Sequence, residues 1–173
     1  PGLNIAGTTV NYGSTQLGTI TTGIGNDRAF CSTVMSQKNV YAFLDLAQNG
    51  YYLYDDAATT NFPSFTGTTH TNTTIDGIAS TTGLYAGQLI SGSGIQALTR
   101  IASVVSATAI TTTIATTASA SITITKEAIA KIIDADFPTS VLSMEAMDGY
   151  LFAGTSTGRI YNSDINAPNS WAA

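Results

Sequence analysis

The chain is expected to fold as an all-β protein, and three features of its sequence predict this. Of 173 residues, 29 are Thr, 16 are Ser and 16 are Gly, a set weighted toward β-branched and turn-forming residues rather than helix formers. Ser121-Ile122-Thr123-Ile124-Thr125 alternates strictly between hydroxyl and apolar side chains, the period-two mark of a half-buried strand. Asn49-Gly50 and Asp148-Gly149 each stand between apolar runs, and such dipeptides supply the positive φ angles that tight hairpins require.

The elements follow in order. Residues 1–62 read as short strands joined by turns: Thr8–Tyr12, then turn chemistry at Gly23–Asp27, then Val40–Leu44, the Asn49-Gly50 turn and a return strand Tyr51–Tyr54. Residues 63–125 change character. Thr and Ser dominate, aromatics nearly vanish, and the only charges are Asp76, Arg100 and the lone His70. Strand candidates lie at Thr74-Ile75, Gly87–Ile90, Thr99–Val105, Ala109–Thr113 and Ser121–Thr125, a spacing that predicts a small inserted β-sandwich or barrel. Residues 126–173 return to the first style. Lys126–Ile133 reads equally as one or two helical turns or as a strand. Asp136-Phe137-Pro138 is a turn, and Asp148-Gly149 predicts a second hairpin with Thr157–Tyr161 in the returning arm. The two flanks share a pattern of turn, strand ending in Tyr, then a polar residue, as in the hairpins of propeller blades or stacked meanders. The ends read as those of a piece of a longer protein.

Composition excludes several function classes. Charged residues make up 10% of the chain against about 25% in a typical domain, while 43% are hydrophobic, so the chain has enough apolar surface to fold. With 6 Lys and Arg and a net charge of −5, no basic patch is large enough to grip a phosphate backbone. No apolar run approaches the ~20 residues of a spanning helix, so no membrane span is expected. One His and one Cys supply neither a His-rich metal centre nor an internal disulfide framework.

The chemical candidates are few. Gly92-Ser93-Gly94-Ile95-Gln96-Ala97 fits a dinucleotide fingerprint in letters, but the β-branched run after it is not the helix that a pyrophosphate needs, and no acid follows before Glu127. Asp55-Asp56 and the Asp134/Asp136 pair offer oxygen ligands without the spacing of a calcium loop. Cys31 and His70 fall in different segments; Cys31 reads as a small buried residue and His70 as a surface one. Tyr51, Tyr54, Tyr150, Tyr161 and Trp171 are the aromatic candidates. They serve either as stacking platforms for sugars or bases or as cross-strand packing, and the spacing favours packing.

One stretch carries a resemblance. Asp134-Ala135-Asp136-Phe137-Pro138, Met147-Asp148-Gly149-Tyr150-Leu151-Phe152, Gly158–Asn166 and Ser170-Trp171, preceded by Asn49–Asp55 and by Pro1-Gly2-Leu3, resemble in order a run of the packaged-DNA stabilisation family, the tail hub or nozzle proteins of short-tailed phages. Residues 63–125 stand where that family has a short connector, and Ala172 stands where it has Asp. The resemblance implies a virion protein of the phage tail with propeller-like hairpins in 1–62 and 126–173. It implies a homo-oligomeric ring, typically a hexamer, around the DNA exit channel, in contact with adaptor and fibre proteins. Double-stranded DNA would pass without tight binding, as an acidic wall favours. No catalytic residue and no cofactor is implied. The other readings are a glycan-binding surface adhesin, a capsid decoration protein and a polysaccharide depolymerase.

Overall fold

A computed structural model describes residues 3–24, 30–55 and 63–172. Its regular elements are sixteen β-strands in antiparallel sheets. The expected all-β class is the one observed. The expected turn at Gly23–Asp27 and the Asp55-Asp56 pair lie partly, and the Pro1-Gly2 segment wholly, outside the described residues.

Strands β1 (Leu3–Ala6), β2 (Thr9–Tyr12) and β3 (Thr15–Thr19) form a three-stranded meander. Strands β4 (Phe30–Met35), β5 (Lys38–Leu44) and β6 (Gly50–Tyr54) form one arm of a nine-stranded sheet. Its other arm holds β7 (Ser64–Thr69), β8 (Thr74–Asp76), β10 (Ile101–Ser106) and β11 (Ala109–Thr112). The long strand β12 (Ser121–Lys131) joins the arms, and β9 (Gln88–Gly92) pairs with it as well. Strands β13 (Val141–Met147), β14 (Tyr150–Thr155), β15 (Ile160–Asp164) and β16 (Ala167–Trp171) form a four-stranded meander in chain order.

Lys126–Lys131 is strand, continuous with Ser121–Thr125. Extended backbone lets Lys126 and Ala130 pair with Ile90 and Gln88 of β9, and Ala130 and Lys131 with Tyr52 and Tyr51 of β6. A helical turn would forfeit both pairings. The change of style at 125/126 therefore falls inside one strand.

Two apolar clusters fill the interior. One draws on Val10, Met35, Phe43, Tyr51, Ile129 and Trp171 among others, so it unites both ends of the chain. The second consists of Ile75, Ile78, Leu84, Ile90, Ile101, Ile110 and Ile124, all inside the Thr-rich stretch. β12 serves both, with Ile124 in the second cluster and Ala128–Ala130 in the first.

The two hairpin dipeptides behave differently. Met147 pairs with Tyr150, leaving Asp148 and Gly149 as a two-residue turn with φ of 51° and 83°, the positive pair of a type I′ turn. Around Asn49-Gly50 the turn is longer. Leu44 pairs with Gly50, so the loop is Asp45–Asn49, and the positive φ (65°) falls on Gln48. The Asp45 carboxylate holds this loop by accepting from the Asn49 backbone N–H and side-chain amide at 2.8–3.1 Å. Gly50 begins the strand, and close packing requires glycine there: a Cβ would lie 2.7 Å from both Ile132 Cδ1 and Phe137 Cζ.

Candidate interaction surfaces

The five aromatic candidates separate into two groups. Tyr51, Tyr54 and Trp171 are buried, so no ligand can stack on them; the platform reading fails at these three positions. Antiparallel register places Phe30, Phe43 and Tyr51 side by side on β4, β5 and β6, with ring centroids 6.5 and 5.6 Å apart. Tyr54 stacks on Tyr85 at 4.2 Å. Trp171 meets the edge of Phe137 at 4.9 Å and donates its Nε1–H to the Pro168 carbonyl at 3.0 Å. Tyr150 and Tyr161 are half-buried and keep part of their rings accessible.

Residues of the recognised run converge in space. The Asp134 carboxylate accepts from the Trp171 backbone N–H at 3.1 Å and from the Asp136 N–H at 2.8 Å. Phe137 sits between Trp171 and the Gly50 end of β6. Asp134 thus has both oxygens engaged in holding backbone. Among the described residues no three His, Cys, Asp or Glu side chains come together as a metal-binding group.

A buried polar junction links the meander β1–β3, the central sheet and the Thr-rich stretch. Lys126 and Glu127 are neighbours on β12, so their side chains leave opposite faces. Lys126 Nζ donates to the Gly83 carbonyl at 2.6 Å. Glu127 accepts from the Thr19 hydroxyl and backbone N–H at 2.9 and 3.2 Å. The Tyr51 hydroxyl meets the Thr21 N–H and hydroxyl, each at 2.9 Å. Arg100 Nη1 donates to the Gly87 carbonyl at 2.7 Å. Burial raises the Glu127 carboxyl above its ordinary pKa, against the lowering effect of the Thr19 bonds and the Arg100 charge. Burial likewise raises Tyr51 and lowers Arg100. Lys131 is lowered first by burial and then by the like charge of Arg100, and Asp45 opposes this. Sequence reading singled out none of these groups, because each is an ordinary strand residue until its neighbours are known.

The remaining candidates are inert or structural. Burial, with the Glu145 charge beside it, pushes the Cys31 thiol up to about 12, which leaves no reactive thiolate near neutral pH. His70 Nε2 lies 2.8 Å from Asp76 Oδ1 in the β7–β8 hairpin. Gly92–Ala97 ends β9 and turns toward β10 without a helix.

Among the described residues, two surfaces stand out as open to partners. The first is the outer face of the terminal meander. Leu151 and Ala153 of β14 point inward and are buried, so Phe152 faces out beside Glu145 of β13 and Asn162 of β15. Met147 and Ile160 on this face are 61% and 76% exposed. With Ser143, Glu145, Phe152 and Gly154 they line a shallow apolar groove of about 260 Å³. The second is a polar groove on either side of the Pro138–Ser140 loop.

No family profile, curated protein or solved structure matches this chain.

Proposed function

We propose that the chain is a structural protein of a phage tail, a subunit of the hub or nozzle ring around the DNA exit channel. The observation that carries this reading is the apolar outer face of the β13–β15 sheet. Contiguous exposed apolar groups on a sheet mark an interaction surface. A ring subunit needs such a surface, because each copy meets the next through two different faces. The partner on this face is a second copy of the chain. The convergence of Asp134, Phe137, Gly50 and Trp171 supports the resemblance, since the stretches that carry it pack as one unit. The net charge of −5 suits a channel component that lets DNA pass without holding it.

Ile160→Glu tests the reading. The side chain is largely exposed, so the variant folds. Assembly followed by electron microscopy and light scattering is expected to show closed rings for the parent chain and monomers for the variant. A parent chain that stays monomeric at all concentrations and is absent from tail particles overturns the proposal.

A further inference from the structure

The described residues contain five Lys and Arg side chains. Three are engaged within the fold: Lys38 Nζ donates to the Tyr85 hydroxyl, Lys126 Nζ to the Gly83 carbonyl and Arg100 Nη1 to the Gly87 carbonyl. Lys131 senses the charges of Arg100 and Asp45 but makes no side-chain hydrogen bond or salt bridge among the described residues, and Arg159 makes none either. Both line the polar groove at Pro138–Ser140. One cavity, of about 330 Å³, has Lys131, Gln48 and Asn49 in its wall. The other, of about 290 Å³, has Arg159, Tyr161, Thr155 and Thr157. Pro138, Thr139 and Ser140 belong to both, so the two cavities flank one ridge, with a cation in the wall of each.

We infer that the two cavities beside the Pro138–Ser140 ridge form a binding site for an acidic oligosaccharide, with Lys131 and Arg159 each taking a carboxylate of the sugar chain. Each cavity is at the small end of the roughly 300–1,000 Å³ of ligand pockets, a fit for one pyranose ring. Hydroxyl and amide side chains, Thr139, Ser140, Thr155, Thr157 and Gln48, match the alternating donors and acceptors of sugar hydroxyls. The accessible part of the Tyr161 ring offers a face for sugar C–H groups. Arg159 is exposed and presents a planar fork suited to a carboxylate. The shared ridge is rigid: Pro138 is buried, and the Ser140 carbonyl accepts from the Ser156 N–H at 3.0 Å. A ridge held in place before binding lowers the ordering cost. Duplex DNA is disfavoured, because two cations on a chain of net charge −5 cannot offset a run of phosphates. The inference stands independently of the ring proposal.

Titration calorimetry at low salt, with trigalacturonate as the probe, tests it. Binding is expected for the parent chain and at least tenfold weaker for Arg159→Ala and for Lys131→Gln, with the Trp171 emission of each variant unchanged as the check on folding. Maltotriose, the uncharged analogue, is expected to show no binding; triglutamate and a twelve-base-pair duplex are expected to bind at least tenfold more weakly than trigalacturonate. Absence of trigalacturonate binding, equal binding by folded Arg159→Ala, or equal binding of any of the three comparison ligands overturns the inference; tight duplex binding would assign the groove to nucleic acid instead.

Discussion

Gly87 is the position at which a single methyl group should do the most damage. It lies just before β9 with φ of 85°, in the left-handed region. Its carbonyl accepts from the Lys131 N–H at 3.0 Å and from Arg100 Nη1 at 2.7 Å, and its own N–H donates to the Ile101 carbonyl at 2.7 Å. It therefore ties the Thr-rich stretch to the end of β12. A Cβ at this position would stand 1.9 Å from the Lys131 carbonyl oxygen, well inside contact distance and against backbone that cannot rotate away. Gly87→Ala must move β9 off β12. Left-handed φ in an L-residue costs about 1–2 kcal/mol. Each neutral backbone bond contributes about 0.5–1.5 kcal/mol and the guanidinium bond about 1.5–3 kcal/mol. Losing these bonds together with the strain gives a destabilisation of about 3.5–8 kcal/mol, comparable with the whole stability of many domains, about 5–15 kcal/mol. The control is Gly158→Ala, where φ is 79° but nothing lies within 4 Å of the added Cβ, so only the left-handed cost of about 1–2 kcal/mol applies. Thermal unfolding followed by far-UV circular dichroism and by Trp171 fluorescence measures both variants. Thermal midpoints should fall by about 7–32 °C for Gly87→Ala and about 2–8 °C for Gly158→Ala, at the 2–4 °C per kcal/mol of a chain this size. Equal destabilisation of the two would refute the close approach of Gly87 to β12.

Two further predictions concern buried ionisable groups. The Cys31 thiol is pushed up to about 12 by burial and the Glu145 charge, so a thiol reagent at pH 8 should leave native protein unmodified and label it fully in denaturant; rapid labelling of the native protein would contradict the packing around β4. Because burial raises the Glu127 carboxyl in the fold, the protonated form is favoured there. Its contribution is fully present below the ordinary glutamate range and is lost as pH rises through the raised value. The stability of the parent chain relative to Glu127→Gln should therefore be greatest in acid and decline toward neutrality; a difference that grows with rising pH would reverse the sign and remove desolvation as the dominant cause.

The assembly test at Ile160 and the calorimetry at Arg159 read the two surfaces separately. The first alters an apolar contact on the outer face of β13–β15, and the second a cation beside Pro138–Ser140. Success or failure of one leaves the other intact.

Local chemistry by itself determined the all-β class, most strand positions and the Asp148-Gly149 turn. These follow from side-chain branching, period-two alternation and the φ angles that Gly and Asp tolerate, all properties of a few adjacent residues. The break in composition near residue 63 is a property of the sequence alone; Ile75 to Ile124 supply the second apolar cluster from within that stretch, while β12 carries the sheet across its far end. Tertiary structure decided the rest. Alternation tells which residues share a face but not what covers it, so Tyr51, Tyr54 and Trp171 could be assigned to packing only once the neighbouring strands were in place. Lys126–Lys131 reads as helix or strand in isolation, and pairing with β6 and β9 settles it, since backbone hydrogen bonds to distant strands outweigh weak local preference. Position 50 must be glycine because Ile132 and Phe137, more than eighty residues away in sequence, occupy the space beside it. Lys131 and Arg159 are unremarkable letters in the chain. They come to lie on either side of the Pro138–Ser140 ridge because β12 and the β14–β15 turn both border that loop, an arrangement that only the folded chain contains.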